Sequence, residues 1–109
     1  MYRVKSYKNR KTYIPNLIRP SEVRKILISL NITWHDRRVK ENGWVLIQSP
    51  FREDKNPSFS LNIIKGCFSD FANPECKGDI VKLVMLANRC SKRKAEEWIL
   101  NTTNLNNII

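Results

Sequence analysis

Apolar residues recur at helical spacing in three stretches of the chain. Val23, Ile26, Leu27 and Leu30 share one face of a first helix. Pro20-Ser21 opens it, Ser21 is its expected cap, and Glu22 stands in the first turn, where a carboxylate favours the helix dipole. Asn31 is the expected stop. Ile80, Leu83, Val84 and Ala87 line a second helix over 79–88, with Asp79 as its cap after Gly78. Ala95, Trp98 and Ile99 line a third, capped by Ser91, and the polar tail 101–107 is expected to fray. Between the first and second helices the pattern changes. Residues 34–40 and 44–48 flank Glu41-Asn42-Gly43, and Asn-Gly between strand-like runs is a hairpin signal because both turn positions favour positive φ. Ser58-Phe59-Ser60-Leu61-Asn62 alternates as a half-buried strand does. Lys65-Gly66 reads as a turn and 67–71 as the partner strand, broken by Asn73-Pro74-Glu75. Phe51 and Phe71 are expected in the core. The predicted class is α+β, a small antiparallel β-sheet flanked by helices, in the order helix, sheet, helix, helix.

Composition narrows the function. The chain has 109 residues, 41% of them apolar, which suits one packed domain. Lys and Arg number 20 against 10 Asp and Glu, a net charge of +10 that points to a polyanionic partner. Residues 1–20 hold six basic residues and no acid, and residues 21–109 hold 14 basic and 10 acidic residues. The first segment, a basic arm, interleaves its cations with Tyr2, Tyr7 and Tyr13, as suits phosphate neutralisation and base stacking on a single strand; a solvated arm is the alternative. The expected organisation is an arm over 1–20, a folded unit over 21–101 and a polar tail over 102–109. No apolar run approaches the roughly 20 residues of a membrane span, and Met-Tyr-Arg-Val-Lys lacks a signal peptide's apolar region, so the expected location is cytoplasmic.

Catalytic chemistry finds little to work with. The one histidine, His35, lies in a charged stretch, and the carboxylate pairs Glu53-Asp54 and Glu96-Glu97 read as loop and helix surface. The three glycines are isolated, so no phosphate-cradling loop is present. Three cysteines argue against a disulfide framework, and Cys67, Cys76, Cys90 and His35 lack the short spacing of a zinc knuckle. The expectation is a chain that is not itself an enzyme and needs no cofactor.

Residues 49–61, Ser-Pro-Phe-Arg-Glu-Asp-Lys-Asn-Pro-Ser-Phe-Ser-Leu, resemble the Cys-Pro-Phe-His…Pro-Ser-Phe segment of the zinc-binding domain of DnaG-type bacterial primases. Phe68-Ser69-Asp70-Phe71 and Lys77-Gly78-Asp79-Ile80 are similar to that domain's later strand and helix start. The resemblance covers about residues 21 to 100 and implies a zinc-ribbon-like sheet. The family's zinc ligands would fall on Ser49, Arg52, Asp70 and, across a one-residue insertion, Asn73. Ser and Asn are not usual zinc ligands and Arg brings a fixed cation, so this version is expected to be metal-free. Arg52 and Asp70 are expected either to pair where the metal would sit or to face solvent separately.

The resemblance further implies a non-catalytic accessory subunit for DNA replication priming, of the kind found in mobile genetic elements. It would bind single-stranded DNA template and a partner DNA polymerase or primase catalytic subunit, with a helicase as a further possible partner and no membrane. The expected DNA-binding residues are Arg37, Arg38 and Lys40 on the first hairpin strand, Arg52 and Lys55 on the motif loop, Lys65 at the second turn, and Trp44 and Phe59 as stacking rings. Phe68 is a further candidate ring, and core packing is the alternative for each aromatic. The alternative function is a protein-interaction module of a replication complex with no DNA binding of its own.

Overall fold

The computed structural model describes residues 14–53 and 55–104. The tyrosine-bearing part of the arm, Asp54 and the last residues of the tail lie outside the described residues. A 3₁₀ turn, Ile14–Leu17, leads into α1, Pro20–Ser29, and a second 3₁₀ turn, Asp36–Arg38, precedes the sheet. The strands are β1, Trp44–Ile47; β2, Phe59–Asn62; β3, Phe68–Asp70; and β4, Asn73–Gly78. Two helices follow, α2, Ile80–Asn88, and α3, Lys92–Thr103. The strands form one antiparallel meander in the order β1-β2-β3-β4, which makes the chain α+β.

The helices form where the apolar spacing places them. Val23, Ile26 and Leu27 of α1, Ile80, Val81, Leu83 and Val84 of α2, and Ala95, Ile99 and Leu100 of α3 enter one core. Asp79 caps α2 by accepting from the Lys82 N–H at 3.0 Å, and Ser91 caps α3 by accepting from Lys94 at 3.2 Å. At α1 the cap position is Arg19, not Ser21. Pro20 takes the first helical position, where a missing N–H costs nothing. Glu22 reaches back to accept from the Arg19 N–H at 2.9 Å. Asn31 ends α1 in the left-handed region at φ 62°, with the Ile32 N–H bonded to the Leu27 carbonyl at 3.0 Å.

The sheet departs from expectation at both edges. Residues 34–40 are not a strand. His35, Asp36, Arg37 and Arg38 are four consecutive exposed side chains with no apolar alternate to bury, and they coil into the 3₁₀ turn. The Asn42-Gly43 turn is present, with the Gly43 N–H on the Lys40 carbonyl at 2.8 Å, but β1 pairs onward with β2. At the other edge, Asn73-Pro74-Glu75 does not end the sheet. It opens β4, an edge strand, where a proline's missing N–H breaks no ladder. The register shifts between Ser69 and Asp70, so Asp70 stands opposite Asn73.

Two boundaries also move. Ile14 is fully buried, so residues 14–19, placed in the arm by composition, belong to the packed unit. The last helix runs on to Thr103, which is buried and whose hydroxyl donates to the Ile99 carbonyl at 2.7 Å. No helix among the described residues is long and apolar enough to cross a membrane.

Asn62, 2% exposed, ties the two turns at one end of the sheet together. Its Oδ1 accepts from the Ile64 and Lys65 N–H groups at 2.9 and 3.0 Å, and its Nδ2 donates to the Asn42 carbonyl at 3.2 Å. Gly43 is required beside it. Its φ is +93°, and a Cβ there would come within 2.8 Å of Asn62 Oδ1. Asn62→Ala should therefore cost about 1–3 kcal/mol in urea unfolding, because three partners lose one polar group. Asn42→Ala, which removes one exposed side-chain bond, should cost less than about 1 kcal/mol.

Candidate nucleic-acid interface

The motif loop between β1 and β2 folds over one end of the sheet. The Phe51 ring meets Phe59 edge-on, with centroids 5.7 Å apart, and Phe59 stacks on Phe68 at 5.4 Å. Ser49 is buried, and its hydroxyl accepts from the Phe51 N–H at 3.1 Å, which turns the chain so that Phe51 points inward.

Arg52 and Asp70 are paired. Arg52 Nη2 lies 2.9 Å from Asp70 Oδ1, and Nε donates to Oδ2 at 3.4 Å. The same Nη2 donates to Ser58 Oγ at 2.9 Å, at the far end of the loop. Asp70 also accepts from the Ala72 N–H at 2.9 Å, in the tight β3–β4 turn. The carboxylate is nearly sealed, with its side chain 2% exposed against 36% for the arginine. Three of the four positions that resemble zinc ligands thus meet at one place, since Asn73 is the cross-strand partner of Asp70. The donor set does not fit zinc, because a guanidinium occupies the carboxylate that a metal would need. Among the described residues, no group of three or more His, Cys, Asp or Glu lies together as a metal site would require.

The three thiols are free and half-buried. Burial pushes the Cys67 and Cys76 thiols up from their ordinary value. At Cys76 the neighbouring Asp70 carboxylate adds to that rise, while Arg52 and Lys82 oppose it.

The sheet has two unlike faces. Val45, Phe59, Leu61 and Phe68 point into the core with the helices. The alternate residues Trp44, Leu46, Ser60, Ser69 and Lys77 point the other way, and all are partly or fully exposed. Trp44 is therefore on the outward face, as a stacking ring must be. Phe59 is not: it is fully buried and belongs to the core, as does Phe68 at 3% exposure. Phe71, expected in the core, is 68% exposed in the β3–β4 turn, because Phe68 and Asp70 hold the inward positions of β3 and the next alternate residue turns outward. Lys40 adjoins Trp44 through its N–H on the Trp44 carbonyl at 2.9 Å. Lys65 lies at the same end of the sheet, in the turn tied to Asn42 through Asn62. Arg37 and Arg38 are exposed on the 3₁₀ turn instead of a strand. Lys55 is exposed on the motif loop with Arg52, at the opposite end of the sheet from Lys40 and Lys65. Sequence reasoning missed Leu46, which hides in the apolar run 44–47, and Lys77, whose segment read as a break.

Comparison of the chain with protein-family models, with curated proteins and with solved structures finds no match. The site thus defines a small α+β domain with an open-faced antiparallel meander and an ion-paired loop.

Arg52→Ala and Asp70→Ala should each lower stability by about 2–4 kcal/mol, somewhat below a fully buried pair because the guanidinium is partly exposed. The double variant should lose less than the sum, by at least about 1 kcal/mol in a double-mutant cycle. Iodoacetamide should alkylate Cys67 and Cys76 in the folded chain more slowly than in the urea-unfolded chain at pH 8–9. The sign follows from the raised folded values. The unfolded thiols ionise first as pH rises, so these two groups also take stability away above about pH 9.

Proposed function

We propose that the chain is a non-catalytic accessory subunit for DNA replication priming. It holds single-stranded template on the open face of its sheet, and a DNA polymerase or primase catalytic subunit supplies the chemistry in trans. The observation that carries this reading is the outward face itself. Leu46 stands across from the small Ser60, in a row that continues to Ser69 and Lys77, and Trp44 stands across from Asn62, with Lys40 and Lys65 at the turn end. A flat strip with a ring, small neighbours and bordering cations suits bases that stack while phosphates run past lysines. Lys55 extends the positive border at the other end, where the Arg52 charge is taken up by Asp70.

The carboxylates support the non-catalytic part. Asp70 is held by Arg52, Asp79 caps α2, Glu22 caps α1, and Asp36 accepts the Trp34 indole N–H at 3.0 Å. These are structural duties, and they leave no converging acids among the described residues to hold the metals of phosphoryl transfer. The priming context and the replication partners rest on the resemblance of residues 49–61, 68–71 and 77–80 to the primase domain.

The isolated chain should bind a labelled oligothymidylate, with affinity falling as salt rises. Replacing Lys40 and Lys65 by Glu should flatten the log–log salt slope by about 1.4, two contacts at about 0.7 each. Trp44→Ala should cost about 1–3 kcal/mol of binding. No binding at physiological salt would favour the protein-interaction module instead, whose basic surface docks an acidic partner.

A further inference from the structure

A cleft runs along the outer edge of β1 and borders the open face, with which it shares Leu46. The segment after α1 forms one wall, with Trp34, His35 and Arg38; Leu46 and Gln48 line the β1 side and Pro50 the end. Its volume is about 470 Å³, within the range of small-molecule sites. A side pocket of about 330 Å³ opens from the same turn and is lined by His35, Arg37 and Arg38. No carboxylate among the described residues lines either one. Asp36, between these side chains in sequence, is occupied by the Trp34 indole N–H, which anchors the ring in the cleft wall.

The β1 edge contributes hydrogen-bonding groups. The Ile63 N–H bonds to the Gly43 carbonyl, whereas the Trp44 carbonyl takes the Lys40 N–H on the other side. Residues 43, 45 and 47 therefore turn their backbone groups toward β2, and by alternation Leu46 turns its N–H and C=O outward, into the cleft. The cleft thus combines an anchored indole, apolar walls at Leu46 and Pro50, a backbone donor and acceptor, an amide at Gln48, and the Arg38 guanidinium, with Arg37 in the adjoining side pocket.

We propose that this cleft binds one nucleotide unit, its base against Trp34 and the β1 edge and its phosphate on Arg37 and Arg38. An extended polypeptide could also use a free strand edge. The two adjacent arginines and the absence of lining carboxylates favour a ligand that carries a ring and a phosphate together. The ligand class rests on the strand-binding reading, but the site is a different one. The nucleotide is either free, as a nucleoside triphosphate, or part of the bound strand.

The test is an NMR titration of the ¹⁵N-labelled full chain with ATP, adenosine and an oligothymidylate in turn. The Leu46 and Gln48 amide signals and the Trp34 indole signal should move with ATP, with the oligonucleotide, or with both. ATP alone identifies a free nucleotide as the ligand, and the oligonucleotide alone identifies a nucleotide of the strand. Adenosine should act about tenfold more weakly than ATP where ATP binds, since it lacks the charge-assisted phosphate bonds. Arg38→Glu, an exposed side chain whose loss leaves the core intact, should remove the shifts. The proposal is overturned if neither nucleotide ligand moves these signals, if adenosine matches ATP, or if only an extended peptide moves them. An oligonucleotide that binds while the cleft signals stay still overturns the cleft and leaves the strand-binding reading standing. An oligonucleotide that fails to bind overturns that reading, while ATP shifts confined to the cleft would still uphold the nucleotide site.

Discussion

The guanidinium of Arg52 on the carboxylate of Asp70 is the contact that the site end of this domain is arranged around. Asp70 follows Phe68 on the inward side of β3, where the other strands place apolar residues. A carboxylate there is costly unless it is paired and hydrogen-bonded. The pairing reaches in three directions at once. It draws the motif loop down onto the sheet, joins the loop's far end through Ser58, and fixes the β3–β4 turn through the Ala72 N–H. With the loop held, Phe51 meets the edge of Phe59, and the stack continues to Phe68. A metal ion would perform the same tying of loop to hairpin through four ligands. Here one ion pair and its neutral partners carry it.

That arrangement leaves the outward face of the sheet free for another task. The loop and helices close the core from one side, and the meander turns Trp44, Leu46 and Lys77 away from it. Cations then collect at the borders. Lys40 and Lys65 share one end because Asn62 binds their two turns together, while Lys55 lies at the other because the Arg52–Asp70 pair pins its loop there. The same two polar staples that stabilise the sheet therefore set the spacing of the charges a polyanion would meet. The 3₁₀ turn adds Arg37 and Arg38 beside the β1 edge, where they serve the cleft more directly than the sheet.

The parts of the fold legible in the sequence were those with a local physical signal. Helical spacing and the caps at Asp79 and Ser91 placed α2 and α3, and positive-φ turns at Gly43 and Gly66 placed the two sheet turns. The Arg52–Asp70 pair was legible as one of two outcomes, because an arginine and an aspartate stood at positions that elsewhere hold a metal. What failed depended on context. Ser21 is a better cap by residue type than Arg19, yet Pro20 is best placed at the first helical position, and that moved the start back. Pro74 read as a break because its tolerance depends on lying at an edge, which is a property of the finished sheet. Phe59 and Phe71 exchanged their expected roles: alternation with Leu61 buries Phe59, and alternation after Phe68 and Asp70 turns Phe71 outward.

The Arg52–Asp70 pair ties the motif loop to the β3–β4 hairpin where the primase-like domain would use a metal. Zinc content and thermal unfolding, measured together on the purified full chain with and without a strong chelator, test it most directly. Closure by the ion pair gives well under one zinc per chain and the same unfolding midpoint in both conditions. About one zinc per chain, or a midpoint that falls when chelator is added, would contradict it.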